Sequence, residues 1–286
     1  MAAHSINVTV NLNGLIGELQ RSLQQTICLV ANGLSAPTDS DPNEIALPVN
    51  IQSFFARLDW NRETFHEKYC EWILSAGFRD AIESLGAFLE SANRVLSIWG
   101  LLKKQDATSP ITVGDWNGIF LDSGNKFHRL GLPDKIDNLC GSRGLSVPDE
   151  LKAQVLSINI ARNCCVHRKG IVSDRDCNTA DGLKVEWRRM VIFLQDEDGE
   201  RDLVLGQRVE KDSVIAVRFE NAEKLFGIGE TLSFTVEQIS GIIWCLFIFG
   251  NTVVEEIGKL GEANGFLTPA ETVEKGLGLI RNPIIA

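Results

Sequence analysis

The sequence predicts a mainly α fold: a helical bundle that carries a small inserted antiparallel β region, α+β overall. Three observations predict it. Apolar residues recur every three or four positions from Leu15 to Val30, from Ile51 to Leu102 and from Thr235 to Leu260. Between 183 and 234 that period gives way to short runs rich in β-branched residues, separated by turn chemistry. A composition of 44% hydrophobic and 23% charged residues over 286 positions supplies a sizeable buried core, enough for one large domain or two small ones.

The elements follow in order. In residues 1–46, Ile6–Leu12 alternates like a short strand, and Leu15, Leu19, Leu23, Ile27 and Val30 then mark one face of a helix. Ser35 to Asn43 is rich in Ser, Pro, Asp and Asn, which places a flexible linker near 33–46. Residues 47–182 form the helical core. Its long helix is drawn by Phe78, Ile82, Leu85, Leu89, Ala92, Leu96 and Trp99, and the pattern breaks around 105–125. Short helical turns between Phe127 and Leu139 begin afresh at Pro133. Ser146-Val-Pro-Asp149 has the form of a capping box with Pro in the first turn, so the next helix is predicted from about Val147 to about His167.

Residues 183–234 carry three or four antiparallel strands, Leu183–Leu194, Asp202–Leu205, Val214–Phe219 and Thr231–Phe234, with a turn at Asp196-Glu-Asp-Gly199. Residues 235–262 form a closing helix. Its middle, Ile242 to Phe249, is apolar on all sides and so belongs in a core or a dimer interface. Residues 263–286 are a tail containing Gly and Pro, predicted to be weakly ordered.

Several function classes are disfavoured. A net charge of −10 argues against sequence-blind coating of nucleic acid, which neutralises many phosphates, though it leaves room for one local basic site. The seven cysteines contain no Cys-x-x-Cys pair, so neither a disulfide framework nor a zinc ribbon is written here, and no metal or cofactor is expected. The run Ile242 to Phe249 is far shorter than the roughly 18 residues of a membrane span, and Met1–Asn13 lacks a signal pattern. The expectation is a soluble, cytoplasmic chain with no membrane partner. Gly276-Leu-Gly278 and Gly227-Ile-Gly229 lack the setting of a dinucleotide loop.

Helix geometry singles out the segment 147–167. With about 100° per residue, Leu151, Val155, Ile158, Arg162 and Cys165 share one stripe, while Leu156, Ile160, Asn163 and His167 share a second. Arg162 and His167 thus project from faces that otherwise look buried. A buried guanidinium needs a partner, and Glu83 or Asp80 of the long helix could supply one, with His167 then a helix-end residue. Cys164 or Cys165 acting as a nucleophile on a His167 base is a poor alternative. Cys165 and His167 diverge by roughly 200°, and the same divergence spoils a metal site. His4, His66 and His128 read as structural or exposed, without ligand partners.

The string Arg162-Asn163-Cys-Cys-Val-His167, followed by Arg168, Lys169 and Gly170, resembles the R-x4-H signature of the HEPN superfamily, with Asn in its frequent place after Arg. The Phe127 to Lys135 turn before it supports the likeness, which covers about 50–182 plus the helix after 235. It implies a four- or five-helix up-and-down bundle and, in many members, a metal-independent endoribonuclease acting as a toxin, a defence factor or an RNA-processing enzyme. It further implies a homodimer whose composite site joins the two Arg162/His167 helices. His167 would be the general acid or base, Arg162 would stabilise charge on the phosphate, and Asn163 would orient the imidazole or donate to the phosphate. Arg168 and Lys169 would hold flanking phosphates. An antitoxin or regulatory protein is an expected further partner. The other reading is a non-catalytic module that binds RNA, a nucleotide or a protein. The 183–234 β region departs from a minimal HEPN bundle.

Overall fold

The computed structural model describes residues 10–35, 61–104, 111–119, 124–197, 199–203 and 214–267. Its helices are α1 (Leu12–Ser35), α2 (Arg62–Lys104), the short α3 (Val113–Asn117), α4 (Gly124–His128) and α5 (Leu132–Asp137), then α6 (Asp149–Arg168) and α7 (Val236–Ala263). A three-stranded antiparallel sheet of order β2-β1-β3 lies between α6 and α7, with β1 at Leu183–Asp196, β2 at Gly199–Asp202 and β3 at Val214–Phe226. The fold is mainly α with a small antiparallel sheet.

Apolar periodicity becomes one contiguous core. On α2, Phe78, Ile82, Leu85, Leu89, Ala92, Leu96 and Trp99 are all buried, as their spacing predicts. Helix α1 buries Leu15, Leu19, Leu23 and Val30 against α2 and α7. It continues to Ser35, past the start of the predicted linker at 33; the rest of that linker, the start of the predicted 51–102 helix and most of the Ile6–Leu12 strand lie outside the described residues. Leu12 itself opens α1 rather than closing a strand.

Helix α7 starts on a capping box: Thr235 accepts from the Gln238 backbone N–H, and the Gln238 side chain accepts from that of Thr235. By length and composition it could cross a bilayer, yet 56% of its most apolar 18-residue window is buried inside the fold. Its apolar middle, Ile242 to Phe249, packs in the core, with Ile242, Cys245 and Leu246 fully enclosed. Beyond it the chain turns back instead of fraying at Asn264. Gly265 takes φ 71°, the Phe266 N–H reaches the Gly261 carbonyl at 2.8 Å, and the Phe266 ring lies 5.9 Å from that of Trp99. The remainder of the tail, from 268, lies outside the described residues.

The predicted capping box at Ser146 does not form. Helix α6 begins at Asp149 with Pro148 as its cap residue and no side-chain cap bond, because a residue preceding proline disfavours helical backbone and keeps Val147 out of the helix. Val147 is buried in the core instead, and the Ser146 N–H donates to Glu256 at 3.1 Å.

In the sheet, β1 and β3 pair from Leu183↔Phe226 to Gln195↔Val214. The predicted turn at Asp196–Gly199 links β1 to β2, with Gly199 at φ 119°. Leu183, Val185, Trp187 and Phe226 bury the near half of the sheet against the bundle. Ser157 of α6 pins it there, its hydroxyl accepting the Glu186 N–H at 2.9 Å. Of the second predicted strand only Asp202 is in a strand; its described neighbour Leu203 is not, and the rest lies outside the described residues. The predicted fourth strand at Thr231–Phe234 is a single bridge, Thr231 to Ile171, followed by Phe234 stacking 4.9 Å from Phe78.

Candidate functional site

Helix α6 carries the motif and dictates where each residue points. Its C-terminus closes left-handed: Lys169 takes φ 54° and Gly170 φ 78°, and the Gly170 N–H bonds to the Cys164 carbonyl at 3.1 Å. The next turn, Ser173 to Asp176, folds back under the helix. There the Arg168 fork grips the buried Asp176 carboxylate, with Nε to Oδ2 at 2.7 Å and a second contact from Nη2 to Oδ1. Asp176 also accepts from the Ser173 N–H and hydroxyl. Burial pushes the Asp176 carboxyl up, but the bonds from Arg168 and Ser173 outweigh it and hold the group below the usual carboxylate range. Arg168, expected to hold a flanking phosphate, therefore ties down the chain after α6. Lys169 is exposed.

Arg162 reaches the long helix, as a half-buried guanidinium requires. Its Nη2 pairs with Glu83 of α2, and its Nη1 donates to the Asn163 side-chain oxygen at 3.1 Å. Asp80 meets Thr26 of α1 instead. Arg162, Asn163 and Asn159 form one wall of a cleft of about 410 Å³. Glu83, Gly86, Ala87 and Glu90 on α2 form the opposite wall, and His128 with the segment Leu130–Pro133 and Lys135 closes one end. Glu90 holds two groups there: the Lys135 ammonium at 2.7 Å, itself buried, and the exposed His128 ring at 3.0 Å. Burial raises the Glu90 pKa, whereas the hydrogen bonds from Lys135 and His128 lower it by more, so the net direction is down.

His167 lies elsewhere. It is exposed one turn beyond the cleft, so its stripe is less buried than the sequence suggests: Leu156, Ile160 and Asn163 are only half-buried. Within one chain the fold brings Arg162 and Asn163 together and leaves His167 apart from them. Next to it in sequence, Val166 is exposed, as is Ile171 beyond the helix end.

The sequence reading missed His128, Glu90 and Lys135 as cleft residues. Their only signal was the Phe127 to Lys135 turn, whose distance from Glu90 in the chain hides the contact. His66 likewise has a neighbour that spacing alone could show, Cys70 four residues on, with Sγ 3.7 Å from Nε2. Burial pushes the Cys165 thiol up to about 11, which removes its nucleophilic form at neutral pH. Cys245 is pushed to about 11 by the same cause. All seven cysteines are free, and among the described residues no three His, Cys, Asp or Glu side chains converge as a metal site. No family model, no curated protein and no solved structure matches this chain.

Proposed function

We propose that the chain is a metal-independent endoribonuclease of the HEPN type, assembled as a cytoplasmic homodimer through the Arg162/His167 helix. The observation that carries this reading is the division of the motif on α6. Arg162 and Asn163 face an open cleft, while His167 stands exposed at the helix end beside exposed apolar side chains. The two are about 140° and about 7.5 Å apart along one helix, which does not suit one chain gripping one phosphate. A twofold axis beside the helix end would set the His167 of one protomer against the Arg162 of the other.

In that composite site His167 takes the proton of an RNA 2′-hydroxyl, whose oxygen attacks the adjacent phosphorus as the 5′-oxygen leaves and is protonated by an imidazolium. Arg162 stabilises the charge that builds on the phosphate oxygens, exchanging exposed Glu83 for phosphate. Asn163 braces the guanidinium through its oxygen and keeps its amide N–H groups for the phosphate. Lys169 steadies a flanking phosphate. The product ends in a 2′,3′-cyclic phosphate. An antitoxin or regulatory protein restrains the enzyme, in a defence or toxin setting.

A second reading, a non-catalytic binding module, is favoured by the pairing of Arg162 with Glu83. Incubating cellular RNA with the purified protein in EDTA, wild type beside His167→Ala, separates the two. Cyclic phosphate ends that disappear in the variant support the nuclease. Intact RNA in the presence of a folded wild-type dimer supports the module.

A further inference from the structure

The cleft between α2 and α6 is balanced in charge. Arg162 is matched by Glu83 at one position, and Lys135 by Glu90 at another. The hydrogen-bonding capacity left over there belongs to amides. Asn159 is only 6% exposed, lines the cleft and has no hydrogen-bond partner for its side chain. Asn163 gives its oxygen to Arg162 and has no acceptor for its N–H groups. Among the described residues the one buried side-chain polar atom without a partner is Arg188 Nε, so the Asn159 amide is open to the cleft and within reach of a ligand.

We infer that this cleft is a binding site for an extended, uncharged peptide segment of a protein partner, whose main chain bonds to Asn159 and Asn163 while an apolar side chain enters the notch at Gly86. Three observations meet in this assignment. An Asn amide offers one acceptor and two donors, matching the C=O and N–H of a peptide unit. Residues 159 and 163 lie one turn apart, about 6.0 Å along the helix, close to the roughly 6.6 Å two-residue repeat of extended chain. Gly86 stands between Glu83 and Glu90 on the opposite wall, and a Cβ built there meets nothing within 4 Å, so a side chain has room beside Ile82, Ala87 and Leu132. A nucleobase also has a donor–acceptor edge. It usually stacks on an aromatic ring or a guanidinium, however, and here the His128 ring and the Arg162 fork are already engaged by Glu90 and Glu83. The assignment does not rest on the ribonuclease reading, although the peptide and an RNA phosphate would compete for Asn163.

The test is a titration of the full ¹⁵N-labelled chain with the blocked peptide acetyl-Ala-Leu-Ala-N-methylamide, and separately with adenosine, observing side-chain amide signals. Those of Asn159 and Asn163 are identified by their loss in Asn159→Leu and Asn163→Leu. The peptide is expected to shift both signals saturably, leaving those of Asn251 and Asn264 in place, and to bind at least tenfold more weakly to Gly86→Leu, which fills the notch while every polar group stays. Asn159→Leu is expected to weaken binding similarly, read from the Asn163 signal, so that either variant suffices if the other does not fold. The assignment is overturned if saturating peptide moves neither signal, if a folded variant binds as wild type does, or if adenosine shifts the signals and the peptide does not. Because no RNA is cleaved, the result is unaffected by whether the chain is a nuclease.

Discussion

At the scale of single residues, the end of α6 is a place where local strain and a buried ion pair decide stability. Lys169 is the one non-glycine residue with positive φ among the described residues, and a side chain in that region costs about 1–2 kcal/mol. Lys169→Gly is therefore expected to raise stability by up to about 1 kcal/mol in urea melts, since glycine's extra unfolded-state freedom returns part of the gain. If Lys169 also steadies RNA, the same variant cleaves more slowly while melting higher, an opposition that a purely structural residue would not produce. Asp176 is the converse case. Its carboxyl is held below the usual range in the folded chain, so its contribution is fully present above the unfolded value near 4 and is lost as pH falls through the folded value. Asp176→Asn is expected to cost about 2–3 kcal/mol at pH 7, the scale of charged hydrogen bonds removed from a buried group, and to flatten the acid limb of a stability–pH profile. An unchanged acid limb would assign that limb to other carboxylates, Glu90 first among them.

At the scale of elements, glycines on two helices separate packing from space. A Cβ at Gly241 of α7 would lie 2.6 Å from the Trp187 indole nitrogen, where the helix crosses β1 on a rigid ring. Gly241→Ala is expected to lose about 1–3 kcal/mol, whereas Gly86→Ala, in open space on α2, is expected to gain up to about 1 kcal/mol from helix propensity; thermal melts of both variants check the contrast. Much of this level is legible in the sequence, because an apolar period of three or four reports which face of a helix is buried without needing to know against what. The buried run from Phe78 to Trp99 on α2 follows directly from it. Element ends are less legible where two local rules compete. Ser146 and Asp149 carry the letters of a capping box, yet Pro148 forbids the helical backbone at Val147 that the box requires. A working box, Thr235 with Gln238, has a hydroxyl residue and an acceptor at the same spacing without an intervening proline.

At the scale of the whole molecule, what the sequence hides is contact between distant segments. Helical arithmetic places Arg162 toward a partner and names Glu83 among the choices, but nothing local announces that Glu90 gathers Lys135 and His128 at the end of the same cleft. Burial of one stripe is also no guide to the next: His167 shares a face with half-buried Leu156 and Ile160 and is itself exposed in the last turn of α6. That separation yields the most discriminating test of the proposed dimer. If Arg162 of one protomer works with His167 of its partner, Arg162→Ala and His167→Ala are each inactive alone, yet mixing them rebuilds one intact site in every mixed dimer. Random exchange makes half of the dimers mixed, each with one of two sites, so about a quarter of wild-type cleavage returns. A site confined to one chain gives no recovery, since every chain then lacks one of the two groups. Exchange must be verified by light scattering or by tagged co-elution. Adding Ile171→Glu to both variants, a charge at an exposed apolar position outside the motif, is expected to prevent the recovery by blocking association. Recovery that survives in verified monomers would remove the composite site and the dimer's catalytic role together.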